Sequence, residues 1–444
     1  MRINTKWCLG WGTAGAILLS ACALPIGPKR TFSDWEDATP LPRSAETSAV
    51  APAATMTPLT IAVPSATQVV TAVAGDTNNP TPAVFETATE TASLATAVSP
   101  DNTDAINQTT DGVDMEYDYP PPMAFTPGAA ATEFGVQING CDKDVASALK
   151  LAKSMGMTWI KQQARWSDIE KGPGVFDWSC LDKVIPAAHN NGFKMLISVT
   201  SAPAFTRQIY GGVFKAGGRP ADFTHFGLFI AHLIQHYKGQ IQAIEMWNEP
   251  NLIREWGDAL SGSVYGRLLA VGYGVTKFMD SSIMVISAGV APTGFNAEWE
   301  AMDDVGFLGR LLEYDGASYM DCLGAHANGP DGLGDIQSIA PRYFDLAAQQ
   351  KPICVTEFGY ALPVEGRTPK GFDWAMAHTE EQQVKVLTEG IQWARSTGYV
   401  NLVILWNLDF DGPPTDPNAL YALVREGWES STISAISEVW NSRP

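Results

Sequence analysis

The sequence predicts an α/β protein: a (β/α)8 TIM barrel preceded by a lipoprotein signal peptide and a disordered Thr/Ala/Pro-rich linker. Three observations predict it. Eight short apolar runs alternate with longer amphipathic ones in the C-terminal part, a low-complexity stretch lies ahead of them, and a short apolar segment follows Met1. The implied division is 1–21 signal peptide, 22–128 tether and 129–444 barrel domain.

The eight expected strands are Phe134–Ile138, Thr158–Gln163, Lys194–Val199, Ala243–Trp247, Met284–Ala288, Cys322–Ala325, Ile353–Thr356 and Leu402–Trp406. Each is apolar or β-branched and bounded by turn residues. Helical spacing appears over Asp144–Met155, Phe226–Tyr237, Val264–Met279, Ala340–Gln349 and Glu380–Ser396. Gly156 stops the first of these, and Thr379 followed by Glu380, Glu381 and Gln382 starts the last. Near-continuous apolar strands between helices indicate a parallel sheet covered on its outer face, and eight repeats favour closure. Phe134-Gly135-Val136-Gln137-Ile138-Asn139-Gly140 lacks the GxGxxG turn of a dinucleotide fold. The intervals after the third, fourth and seventh strands are the longest and predict walls around a site at the C-terminal mouth.

Ahead of the barrel, Arg2 and Lys6 precede an apolar run from Trp7 to Leu19, too short to span a bilayer comfortably. Leu19-Ser20-Ala21-Cys22 resembles a bacterial lipobox, which implies a lipid anchor on Cys22 and an extracytoplasmic, membrane-anchored lipoprotein, at the cell surface or secreted. The tether that follows has too few large apolar residues to fold. Export permits disulfides. Six cysteines less Cys8 and Cys22 leave Cys141, Cys180, Cys322 and Cys354. They could pair as Cys322–Cys354 and Cys141–Cys180 or remain buried thiols. No spacing among them suggests a metal.

The net charge of −19 argues against nucleic acid as a partner, which needs basic patches. No required protein partner and no cofactor is evident. The 14 Trp suit sugar binding and also suit any large core. His232 and His236 have the spacing of a metal pair but no HExxH glutamate; a surface or packing role on the third outer helix is expected.

Two segments carry the chemistry. The fourth strand runs into Trp247-Asn248-Glu249-Pro250-Asn251, and the seventh into Thr356-Glu357-Phe358-Gly359-Tyr360. Glutamates at the ends of strands three steps apart in a ring of eight face each other across the mouth. Retaining glycoside hydrolysis needs two carboxyls about 5–5.5 Å apart, one protonated and one ionised.

Trp-Asn-Glu-Pro and Thr-Glu-Phe-Gly, in this order and on these strands, resemble the catalytic signatures of glycoside hydrolase clan A, nearest to families five and thirty-nine. The resemblance spans about Phe134 to Trp440. It implies a glycosidase that cleaves β-glycosidic bonds of a carbohydrate substrate, with Glu249 as acid/base, Glu357 as nucleophile and Asn248 on the sugar 2-hydroxyl. It further implies Trp406 as the floor under the cleaved sugar. Arg165, after the second strand, is expected beside Glu357 as the cation that keeps it ionised. His326 is expected to bond a sugar hydroxyl or orient Glu357. Related enzymes carry a Tyr close after such a His. Here Ala327, Asn328 and Gly329 follow instead, leaving Tyr360 or Tyr210 as the hydroxyl partner of Glu357. Phe205, Trp256, Trp299, Phe372 and Trp374 are candidate subsite linings. A binding lipoprotein without hydrolysis, or a transglycosylase, is compatible with the same residues.

Overall fold

A computed structural model describes residues 120–207, 218–257, 259–297, 299–330, 334–410 and 412–441. Cys22, the expected signal peptide, the tether up to residue 119 and Tyr210 lie outside the described residues.

Eight parallel strands form the barrel: β1 (Glu133–Gln137), β2 (Trp159–Arg165), β3 (Lys194–Thr200), β4 (Ala243–Met246), β5 (Met284–Ser287), β6 (Leu323–Ala327), β7 (Ile353–Phe358) and β8 (Val400–Leu405). Their order is β5-β4-β3-β2-β1-β8-β7-β6. The ring closes where β5 meets β6 through the parallel bridges Ile286–Cys322 and Val290–Ala325. All eight expected strands are present, with ends shifted by one or two residues.

Eight helices form the outer ring: α1 (Val145–Ser154), α2 (Leu181–Asn190), α3 (Phe223–His236), α4 (Gly262–Met279), α5 (Asp304–Glu313), α6 (Ile336–Leu346), α7 (Glu380–Thr397) and α8 (Thr432–Asn441). Their starts follow local chemistry. Asp144 caps α1 by accepting from the Ala146 amide, and Thr379 and Gln382 form a capping box on α7. Among the described residues, no helix is long and apolar enough to cross a membrane.

Side chains fill the barrel in layers. The lower layer is apolar: Trp159, Leu196, Ala243, Ile286, Cys322, Cys354, Leu402 and Ile404. β1 contributes only Gly135 there, because any Cβ would collide with Trp159 and Ile404. Above it the interior turns polar. Lys161, Ser198, Glu245 and Thr356 are all fully buried. Outside the strands, a continuous core joins sheet and helices, including Trp166, Phe226, Phe229, Trp247 and Tyr265.

Cys141 pairs with Cys180, and Cys322 with Cys354. The second bridge joins neighbouring strands inside the barrel. The barrel's contacts also extend back into the stretch the sequence assigns to the tether. The Pro120 carbonyl accepts from the Tyr273 hydroxyl at 2.7 Å, and the Met123 amide donates to Asp321 at 2.7 Å.

The longest mouth segment among the described elements is residues 406–431 after β8, where the sequence singled out the intervals after β3, β4 and β7. A short hairpin, Val424–Arg425 with Trp428–Glu429, folds part of it back.

Candidate active site

Glu249 and Glu357 both rise at the C-terminal mouth. Glu357 lies within β7, and Glu249 follows β4 by a short irregular turn. That turn holds Trp247 at φ 91° and Glu249 at φ 39°, a region that residues with a Cβ seldom enter. Strain of this kind persists only where the surroundings impose it, and it clusters at functional sites. The surroundings here are explicit. The Glu249 amide donates to the Gly289 carbonyl at 3.0 Å. Asn251 bonds the chain after β5, accepting from the Ala291 amide and donating to the Ala291 and Met302 carbonyls.

His326, from the interior face of β6, joins the two acids. Its Nδ1 lies 3.1 Å from Glu249 Oε1 and 3.5 Å from Glu357 Oε2. One donor atom from each of the three residues lies within 4.8 Å of the others. Gly289 makes room for this ring, since a Cβ there would collide with His326 and with Thr356 Oγ1. His326 is fully buried, with Nδ1 turned toward the two carboxylates.

The cation beside Glu357 is Lys161, not Arg165. Lys161 Nζ lies 3.3 Å from Glu357 Oε1 and 3.0 Å from Glu245 Oε2, and donates to the Thr356 carbonyl at 3.1 Å. Arg165 shares that strand face but stands at the rim. There it pairs with Asp168 at 3.1 Å and its side chain is 56% exposed. A guanidinium at the rim reaches water before it reaches the barrel axis, whereas Lys161 starts deeper. Glu245 also accepts from Thr356 Oγ1 at 2.6 Å and from the Gly289 amide at 3.1 Å.

The second oxygen of each candidate acid has its own partner. Arg254 Nη2 lies 2.8 Å from Glu249 Oε2. Asn328 Nδ2 donates to Glu357 Oε2 at 2.9 Å. Asn328 thus stands where a tyrosine was expected, and Tyr360 is buried with its ring stacked on His378 at 4.3 Å. Tyr421, from the loop after β8, holds Asn328 in position by donating to its carbonyl at 2.5 Å.

Charges balance within this cluster. Burial opposes a charge on His326, yet Glu357, Glu245 and Glu249 together push its pKa up to about 10. Burial opposes the Lys161 charge too, and Glu245 and Glu357 outweigh it, so its pKa is raised. Three cations, His326, Lys161 and Arg254, thus face Glu245, Glu249 and Glu357, with Glu255 beside Arg254. Burial works against ionisation of Glu249, but the His326 hydrogen bond and the Arg254 charge overcome it and lower its pKa. For Glu357 burial prevails: its pKa is raised, with Glu249 and Glu245 adding to the rise and His326 and Lys161 opposing it.

Around the acids lie buried oxygens without protein partners: Asn248 Oδ1, Gln137 Oε1 and Asn407 Oδ1, from the ends of β4, β1 and β8. They are acceptors suited to hydroxyl donors. Trp406 is half-buried at the end of β8 against Leu420 and Tyr421, and its peptide bond to Asn407 is cis. Trp256 proves to be core, fully buried between Trp247 and Tyr265. Phe205 and Trp299 are exposed at the mouth, while Phe372 and Trp374 pack partly against the cluster that holds Trp406. His232 and His236 both lie against aromatic rings, Phe176 and Trp178, and His236 also pairs with Asp182.

No protein-family model and no curated protein matches this sequence. Solved structures do match in fold. A family 39 glycoside hydrolase from Bacteroides cellulosilyticus WH2 is 18% identical at a TM-score of 0.55, over 70% of this chain and 64% of its own. An exo-beta-1,4-mannosidase from Opitutaceae bacterium strain TAV5 is 15% identical at 0.52, over 72% of this chain and 61% of its own. A monomeric beta-xylosidase from Caulobacter crescentus CB15 is 17% identical at 0.51, over 72% and 70%. The chain thus spans less than two thirds of the length of the first two. Its fold is the (β/α)8 barrel that these glycosidases share.

Proposed function

We propose that this chain is a retaining glycoside hydrolase that cleaves β-glycosidic bonds of a polysaccharide or oligosaccharide by double displacement. Glu249 is its acid/base and Glu357 its nucleophile. The observation that carries this reading is the approach of the two carboxylates to within 4.8 Å at the barrel mouth. Retention needs the carboxyls about 5–5.5 Å apart, and inversion needs roughly 6.5–9.5 Å to admit a water between them. Glu249 gives a proton to the leaving oxygen as Glu357 attacks the anomeric carbon. Glu249 then takes a proton from the water that releases the sugar from Glu357. The unpartnered Asn248 Oδ1 accepts from a sugar hydroxyl, and Trp406 offers its ring to the sugar's C–H face. The glycosidases that share the fold support a carbohydrate substrate.

The reversed assignment has one observation in its favour, since the resting site lowers the pKa of Glu249 and raises that of Glu357. Chain position favours the assignment given, with Glu249 in Asn-Glu-Pro after β4. Incubation with 2-fluoro glycosyl fluorides of the gluco, manno and xylo series, read by peptide mass, separates the two. A covalent glycosyl adduct on Glu357 is expected, and one on Glu249 would reverse the roles. No adduct, together with no reducing ends released from a β-glucan, xylan and mannan panel, would leave a sugar-binding barrel.

We further propose that residues 1–21 are removed and Cys22 carries the lipid that anchors the enzyme outside the cytoplasm. A labelled fatty acid should enter the wild-type chain and not the Cys22→Ser variant. Equal labelling of both would sink the anchor.

A further inference from the structure

Both oxygens of the Glu249 carboxylate are occupied. Oε1 faces His326 Nδ1 at 3.1 Å, and Oε2 accepts from Arg254 Nη2 at 2.8 Å. Each oxygen thus already holds one partner, and a proton on Oε2 would compete with the guanidinium for the same oxygen. The charged and titratable groups around Glu249 come from several elements at the mouth. They are Arg254 and Glu255 on the one-turn helix Ile253–Trp256, Glu245 on β4, His326 on β6, Glu357 on β7, and Tyr421 after β8. Among these, Arg254 alone has a mostly exposed side chain, at 67%. His326 is locked under Gly289. Arg254 can swing outward and still keep Glu255 as a partner, whose Oε1 lies 3.6 Å from its Nε.

We propose that Arg254 is a positioning residue that latches Glu249 in the resting site and is displaced from Oε2 when the leaving-group sugar enters. This rests on the reading of Glu249 as the acid/base. The exchange is balanced: one guanidinium leaves Oε2, one solvent proton takes its place, and the charge of the site is unchanged. The logic is electrostatic. A cation 2.8 Å away favours the carboxylate over the acid. Without it, burial and the neighbouring Glu357 disfavour a charge on Glu249, and only His326 still favours one. The latch therefore keeps the empty site charge-balanced and hands the acid its proton only when an acceptor is present. It also accounts for a resting Glu249 that is held ionised although its role requires a proton.

The test uses the full chain with glutamate labelled at the carboxyl carbon. The Glu249 signal is identified by its absence from Glu249→Gln, and is titrated in wild type, Arg254→Met and Arg254→Lys. Arg254→Met keeps the aliphatic stem and drops the charge. Its Glu249 midpoint is expected to rise by about one pH unit or more over wild type, with Arg254→Lys in between. An unmoved midpoint overturns the latch. On the polysaccharide that releases reducing ends, the alkaline limb of kcat/KM should move up by the same interval with KM nearly unchanged. A raised KM with an unmoved limb would make Arg254 a substrate-binding residue and overturn the proposal. Full turnover in Glu249→Gln would instead defeat the acid/base reading, while leaving the titration result intact.

Discussion

Glu357→Gln is expected to lower kcat roughly ten-thousand-fold or more while leaving the barrel at least as stable as wild type. The amide keeps the shape of the carboxyl but cannot form the glycosyl bond. Stability holds for a separate reason. Burial disfavours the charge on Glu357, and Glu249 and Glu245 add like-charge repulsion, so its pKa is raised in the folded state. A group with a raised folded pKa stabilises the fold below its unfolded pKa, and that contribution is lost as pH climbs through the folded value. A charge on Glu357 at neutral pH is therefore a burden that a neutral amide removes. Lys161 keeps Glu245 as its partner in the variant. Reducing-end release and thermal unfolding check both halves. Turnover within roughly tenfold of wild type would take the nucleophile role from Glu357. A large fall in melting temperature would contradict the electrostatic account.

Lys161→Met should be the opposite kind of variant, damaging fold and activity together. It strands Glu245 and Glu357, both buried, without their shared cation. Removing one member of a buried ion pair costs about 3–5 kcal/mol. In wild type, burial opposes ionisation of Glu245, but Lys161 and His326 hold its pKa well below the usual carboxylate range. Its contribution is present above its unfolded pKa of about 4.3 and fades as pH falls through the lower folded value. In the variant both folded pKa values rise, and the sign inverts. The stability deficit should be greatest at neutral pH and should narrow as pH falls toward about 4. Denaturant unfolding across this range measures it. A deficit that does not change with pH would mean lost packing rather than stranded charge.

The barrel was legible because its strands are buried on both faces. That leaves unbroken apolar runs such as Met195-Leu196-Ile197-Ser198-Val199, bounded by helices. The two candidate acids were legible because each stands in a short motif at a strand end. Their companions were not, for a shared physical reason. Trp159, Lys161, Gln163 and Arg165 alternate along one face of β2, and nothing local says that this face points into the barrel. Lys161 is tolerable there only because Glu245 arrives from β4 and Glu357 from β7. That compensation is long-range, so Lys161 does not announce itself, while Arg165 stands at the strand end beside the motifs. Trp256 could equally line a subsite or pack, as far as its sequence position tells; Gly257 ends its one-turn helix with the indole in the core. Asn328 was visible only as an absence of tyrosine. Its role depends on Tyr421, which lies 93 positions away in a loop whose reach the strand pattern did not reveal.

The bridge between Cys322 and Cys354 sits directly beneath this machinery. It ties the strand that presents His326 to the strand that presents Glu357, each a few residues further along its own strand. Sliding either strand by a single position would turn every side chain to the opposite face, moving His326 or Glu357 out of the barrel. The covalent tie fixes the relative phase of the two strands at their base. The meeting of imidazole and carboxylate at the mouth is thereby set from below, before any sugar arrives.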